Sequence, residues 1–246
     1  MALGRSSNPV LSQKFLDSIT NLENNDVMTV KGAINKTAIL FLLVVLSATV
    51  TWKLAAVQNV MAGTLSMVGL FGGLGFALVT IFKKDWAHIT APIYALFEGL
   101  FLGAISAFIN TMYPGIAIQA VGITFGVLLT MLVIYKTGII KVTGKFTKGL
   151  MAATGGILIF YLINMVLGFF GAGISLANMG WLGIGIQAAI VIIAALNLVL
   201  DFDYIERTAA ANVPKKIEWY AAFGLMVTLI WLYLEILRLL TLLARR

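Results

Sequence analysis

The stretch Trp181-Leu-Gly-Ile-Gly-Ile-Gln-Ala-Ala-Ile-Val-Ile-Ile-Ala-Ala-Leu-Asn197-Leu-Val-Leu-Asp201-Phe-Asp203 decides the fold. About 20 apolar residues in helical form cross a hydrocarbon core of about 30 Å. The run has no period-2 alternation, so it reads as a membrane-spanning helix and not as a barrel strand. Six comparable runs occur at 37–56, 60–82, 86–110, 115–135, 149–171 and 219–242. The chain is 61% hydrophobic and only 11% charged, far from the balance of a soluble domain. These features predict an all-α integral membrane protein, a seven-transmembrane-helix bundle embedded in a lipid bilayer.

Residues 1–33 are expected to form a cytoplasmic amino-terminal tail and residues 34–246 the membrane domain. The tail is polar and of mixed charge (Arg5, Lys14, Asp17, Glu23, Asp26, Lys31) and holds no short apolar core ending in a cleavage site. That favours an uncleaved signal anchor in the first span over a cleaved leader. Leu11, Phe15 and Ile19 fall four residues apart, the pattern of a short helix lying on the membrane, with a disordered tail as the alternative. There is no cysteine, so a disulfide framework and cysteine-based metal or redox sites are excluded.

Loop charges predict the orientation. The 136–148 loop carries Lys136, Lys141, Lys145 and Lys148, the 83–85 loop Lys83 and Lys84, and the 204–218 loop Arg207, Lys215 and Lys216. The 111–114 and 172–180 loops carry no Lys or Arg, and the 57–59 connection has only Lys53 beside it. The positive-inside rule then puts the amino terminus in the cytoplasm and the carboxyl terminus outside. Arg245 and Arg246 oppose that rule but are outnumbered. Topology and lipid headgroups account for the net charge of +7. A nucleic-acid partner is not expected, because no soluble domain carries a basic face.

Small residues repeat at four-residue spacing: Gly69, Gly73 and Ala77 in the second span, Gly99, Gly103 and Ala107 in the third, Gly122 and Gly126 in the fourth. Such spacing lets helix backbones approach closely in lipid. Gly171-Ala-Gly173 reads as an external turn.

Acidic residues in or at the lip of the spans mark the candidate site. A carboxylate near the bilayer centre costs about 3 kcal/mol on insertion scales, so it is expected to be paired, hydrated or useful. Glu98 lies midway along the third span, either as a structural acid paired with Asn164 of the fifth or as a protonatable group lining a cavity. Asp201 and Asp203 close the sixth span about 200° apart around the helix. Asp201 shares a face with Asn197, making a polar stripe, whereas Asp203 is placed to meet Arg207 four residues on. Glu235 in the seventh span has Arg238 three residues later, the spacing of an ion pair. Glu218 begins that span as a first-turn acid, favoured by the helix dipole and able to meet Asp203.

Catalytic chemistry finds little support. His88 is the only histidine, and no zinc-binding pair, nucleophile elbow or phosphate loop is present. Gly183-Ile-Gly185-Ile lacks the aspartate that an aspartyl intramembrane protease needs, and Asp201 and Asp203 share one helix. The chain is expected not to be an enzyme and to carry no resident cofactor.

Three segments in order resemble the Bax inhibitor-1 family, with the bacterial branch the nearest. They are Tyr94-Ala-Leu-Phe-Glu98-Gly99-Leu-Phe-Leu-Gly103-Ala, Leu196-Asn197-Leu-Val-Leu-Asp201-Phe-Asp203 and Leu232-Tyr-Leu-Glu235-Ile-Leu-Arg238-Leu-Leu. The resemblance runs from about residue 30 to the end. It implies a seven-helix bundle with a cytoplasmic amino terminus in a bacterial inner membrane, a pH-sensitive calcium leak, and in some members regulation of partner proteins such as a membrane protease. It also implies a sensor made of two acids, one near the end of span six and one in span seven. Asp201 matches the first, with Asp203 as the other candidate. The second falls on Glu235 or on Thr228, depending on which run of span seven is matched, and Glu218 is a displaced alternative. The arginine that latches the span-six acid in some relatives has no counterpart in span two, where Lys83 is the first basic residue to follow.

Two carboxylates held close cannot both ionise cheaply and titrate as a unit. Ca²⁺ takes six to eight oxygens, so one or two carboxylates with Asn197 and water would make a weak, transient contact at Asp201, as permeation requires. The expected function is a pH-sensitive cation leak, with Ca²⁺ and H⁺ as the transported or gating ions. A non-conducting regulator of a membrane protease or other complex is the alternative, and a proton-coupled cation exchanger the third.

Overall fold

The computed structural model describes residues 27–245. Seven helices long and apolar enough to cross a membrane make up almost all of it. They are α1 (Val30–Ala56), α2 (Met61–Phe82), α3 (Ala87–Met112), α4 (Ile116–Lys136), α5 (Gly144–Phe169), α6 (Trp181–Ala210) and α7 (Ile217–Ala244), with 3-10 turns at Lys84–Trp86 and Leu176–Met179. Within lipid a backbone N–H or C=O finds no water, and helices satisfy both groups internally. The expected surface helix through Leu11, Phe15 and Ile19 lies outside the described residues, as does Arg246.

Helix ends depart from the apolar runs where local chemistry extends them. Thr29 caps α1 by accepting from the Gly32 N–H at 2.9 Å, so the helix starts seven residues before the expected span. Thr143 caps α5 in the same way, at 3.2 Å from the Phe146 N–H, which places Lys145 and Lys148 on the first turns of a helix and not in a loop. Asp201 and Asp203 do not close α6. The helix continues to Ala210 and is 30 residues long, about 45 Å at 1.5 Å per residue and well beyond the hydrocarbon core. Its amino-terminal boundary is Gly180, at φ +62° and ψ −133°, a conformation closed to residues with a Cβ.

Two helices organise the bundle. α3 packs most extensively against α1 and α2, while α7 contacts α6, α1, α4 and α3. α7 is the most buried span and α5 the least, its contacts falling mainly on α6. The contacts of α3 are backbone to backbone. A Cβ on Gly103 would sit 2.7 Å from the Ala48 carbonyl carbon, and one on Gly99 2.9 Å from the Val44 Cα, both on α1. Gly69 of α2 meets the other side of α3, where a Cβ would lie 2.7 Å from the Phe101 nitrogen. The expected contact through Gly122 and Gly126 is absent: nothing lies within 4 Å of a Cβ at either position, since both face away from the neighbouring helices.

The basic loops converge on one end of the bundle. Lys216 pairs with Asp85 at 2.6 Å, joining the α6–α7 and α2–α3 connections. Lys136 pairs with Glu206, and Arg207 donates to the Val142 carbonyl at 3.3 Å, which brings in the α4–α5 connection. The start of the described chain is fastened at the same end. The Met28 N–H donates to the Val213 carbonyl at 2.8 Å. Glu218, fully buried, accepts from the Thr29 N–H at 2.9 Å and the Thr29 hydroxyl at 3.1 Å, and pairs with Lys36. Lys36 also lies over the Trp219 ring, 5.5 Å from its centre. Glu218 is thus the clamp between α1 and α7 and does not meet Asp203.

Two stability predictions follow from these contacts. Gly103→Leu should destabilise the bundle by about 3 kcal/mol, because the α1 backbone cannot yield to a side chain. Gly122→Ala should leave the thermal unfolding midpoint in detergent unchanged. Lys36→Met leaves the Glu218 carboxylate buried without its cation and should cost about 3 kcal/mol. Adding Glu218→Gln should recover most of that loss in the same assay, and an equal loss in the double variant would refute the ion pair as the cause.

Candidate functional site

Asp201 lies twenty residues into α6, on the far side of the helix from its entry at Trp181. Its neighbours Leu198, Phe202 and Ile205 belong to the apolar cluster shared with α7, which includes Ala221, Leu225 and Leu229. Within this setting the Oδ2 atom of Asp201 is shut off from solvent and has no hydrogen-bond partner among the described residues. Thr228 of α7 presents its hydroxyl to the same carboxyl group and also reaches the Gly224 carbonyl at 3.3 Å. The acid and the hydroxyl therefore meet across the α6–α7 interface.

Neither glutamate of α7 can replace Thr228. Glu218 and Glu235 are ten and seven residues away on the same helix, about 15 Å and 10 Å along its axis. Each is consumed by other partners. Glu235, 2% exposed, accepts from the Gln187 amide at 2.6 Å, the Tyr161 hydroxyl at 2.9 Å and the Trp231 indole N–H at 3.0 Å. Arg238 completes the set at 3.1 Å and lies with its guanidinium over the Tyr161 ring, 4.9 Å from the centre. Such saturation fixes the carboxylate as a tie between α5, α6 and α7. Of the three candidates for the span-seven partner of Asp201, Thr228 is the one that meets it, while Glu218 holds α1 and Glu235 holds α5.

Asp203 points away from Asp201 and pairs with Arg207 at 2.8 Å. One turn on, Glu206 accepts from the Tyr135 hydroxyl at 2.8 Å and pairs with Lys136, fastening α6 to the end of α4. Asn197 turns toward α5, where its amide donates to the Thr154 hydroxyl at 2.9 Å, and it also donates to the Ile193 carbonyl at 2.8 Å. The polar stripe on α6 is thus divided between two neighbours, α5 at Asn197 and α7 at Asp201.

Glu98 is not paired with Asn164. The Asn164 side chain accepts from the Ile174 N–H at 2.6 Å and shapes the turn after α5. Glu98 faces α2 at Gly73, where a Cβ would come within 2.8 Å of its Oε2. Tyr94, one turn earlier, stacks edge-on with Phe223 of α7 at 5.1 Å. His88 rests with Nδ1 3.0 Å from the Asp85 carbonyl, away from any acidic cluster. No group of three or more His, Cys, Asp or Glu side chains is placed to hold a metal ion among the described residues.

Sequence spacing gave the partners that lie on the same helix, Arg207 for Asp203 and Arg238 for Glu235, but not those that come from other helices. Trp231, one turn before Glu235, was within reach of an i,i+4 reading. Gln187 and Tyr161 come from 48 and 74 residues away, and only the tertiary fold assembles them.

No curated protein matches the chain. A family model described as Bax inhibitor 1 like matches residues 8–245, which takes in all seven spans together with Glu98, Asp201 and Glu235. On that near-complete match, the chain belongs to the Bax inhibitor 1 like family.

Proposed function

We propose that the protein is a pH-sensitive cation leak of a bacterial inner membrane, with Ca²⁺ as the ion carried and Asp201 as the gating acid. The observation that carries the reading is the buried Asp201 oxygen without a partner, set deep in an apolar interface. Every other acid of α6 and α7 is neutralised by a cation. A carboxyl group in such surroundings has two economical states: protonated and neutral, or ionised beside a cation. Protonated Asp201 leaves the α6–α7 interface closed. Ionised, it draws a cation and water into that interface, where the Thr228 hydroxyl supplies a second oxygen.

Two protein oxygens fall far short of the six to eight that Ca²⁺ takes. Water therefore completes the shell, the contact is brief, and the ion moves on. The convergence of the basic loops supports a cytoplasmic position for that end and for the start of α1.

The test is Ca²⁺ entry into dye-loaded liposomes holding purified protein. Flux should rise with pH, with the steepness of a single titrating proton, because a threonine and not a second acid faces Asp201. Asp201→Asn should abolish the pH dependence. Thr228→Val should reduce flux while keeping it. Asp203→Asn, which breaks only a half-exposed ion pair, should leave flux within about twofold of wild type. Wild-type vesicles that match empty ones at every pH would end the leak reading.

A further inference from the structure

The end of the bundle opposite the basic loops has little charge of its own. The 111–114 and 172–180 loops contain no Lys, Arg, Asp or Glu. Arg238 and Arg245 stand there over a cavity of about 400 Å³ between α3, α5, α7 and the Leu176–Met179 turn. Helices α3 and α5 hardly pack against each other, and the cavity fills the gap between them. Below the arginines Ile105, Ile109, Phe160 and Leu234 make an apolar part of the lining, beside the polar side chains of Asn164, Ser175 and Thr241.

The two cations are held differently. Arg238 is 47% exposed and commits Nη1 to Glu235 and to the Tyr161 hydroxyl at 2.6 Å. Its Nη2 and Nε make no hydrogen bond among the described residues, so one edge of the fork is left for another acceptor. Arg245 is exposed, and its side chain has no acidic partner among the described residues. Glu235 is the nearest acid, and its oxygens are already saturated from four sides. The site thus has a rim of two arginines set against a single acid, Glu235, with Arg245 left without an acidic partner among the described residues, at the level where spanning helices emerge from the hydrocarbon.

We infer that this cavity binds an anionic phospholipid of the surrounding leaflet, its phosphate taken by Arg238 and Arg245 and an acyl chain laid in the gap between α3 and α5. Guanidinium groups suit phosphate because the planar fork donates two parallel hydrogen bonds. Basic pockets between spanning helices bind anionic headgroups on the cytoplasmic side, and Arg238 and Arg245 offer the same chemistry at the opposite end. The apolar part of the lining favours a lipid over a free anion, since a small anion would use only the rim. The same chemistry gives two arginines a role at an end whose loops carry no charge.

The experiment is native mass spectrometry of the detergent-purified full chain, titrated with phosphatidylglycerol, with phosphatidylcholine of the same acyl chains, and with glycerol phosphate. Wild type should hold phosphatidylglycerol about tenfold more tightly than phosphatidylcholine. Arg245→Gln should reduce that preference about fivefold. Arg238→Lys keeps the charge and the tie to Glu235 yet loses the fork, and should also weaken it; with Arg245→Gln the preference should vanish. Lys141→Gln, at the other end, should change nothing. Equal retention of the two lipids by wild type, or an undiminished preference in Arg245→Gln, overturns the site. Displacement of phosphatidylglycerol by glycerol phosphate at equal concentration overturns the lipid assignment in favour of a free anion. Arg245 is exposed at the end of α7, so its variant decides the matter even if Arg238→Lys fails to fold.

Discussion

Lipid offers no hydrophobic force between helices, because its chains are as apolar as the side chains that meet them. The bundle therefore depends on backbone contact along α3. Gly99 and Gly103 let α1 lie against it, and Gly69 and Gly73 do the same for α2. With both faces of α3 taken up in this way, α7 is left to close the bundle and to face α6. The position of Asp201 opposite Thr228 is a downstream consequence of that arrangement.

The same solvent sorts the acids. A carboxylate that cannot reach water has to find donors or a proton. Glu218 and Glu235 found donors, and each now ties helices together: α1 to α7 at one end, α5 and α6 to α7 nearer the other. Asp203 and Glu206 found cations at the rim. Asp201 found one hydroxyl and no cation. The difference is one of geometry along α7, since its two glutamates flank Thr228 at distances no side chain can span. The two structural acids of α7 are thereby kept apart from the carboxyl group of Asp201 on α6.

Much of the fold was legible because one quantity, the length of an apolar run, decides it. The seven spans follow from that length alone, and Gly99 and Gly103 fall on the face where α1 lies. Helix ends were less legible. The start of α1 depends on a threonine cap and on a glutamate almost two hundred residues later, neither of which leaves a hydropathy signal. The rotation of each helix about its axis was illegible too. Gly122 and Gly126 have the spacing of a packing face yet look outward, because spacing defines a face without saying which neighbour it meets. For the same reason the partner of Asp201 stayed open among three residues until α7 was placed.

Asp201 is better suited to a leak than a pair of carboxylates would be. Two ionised acids at one depth would offer a divalent cation a deep well, and release would then limit passage. In the proposed leak, one acid with a hydroxyl would make the well shallow, its occupancy set by a single proton. The cations that surround the other acids serve the same end. Lys36, Lys136, Arg207 and Arg238 are each engaged with a carboxylate of their own, so none is free to neutralise Asp201 from within the protein. An ion or a proton from solution is what remains to do it, and that is the condition for a gate that answers to both.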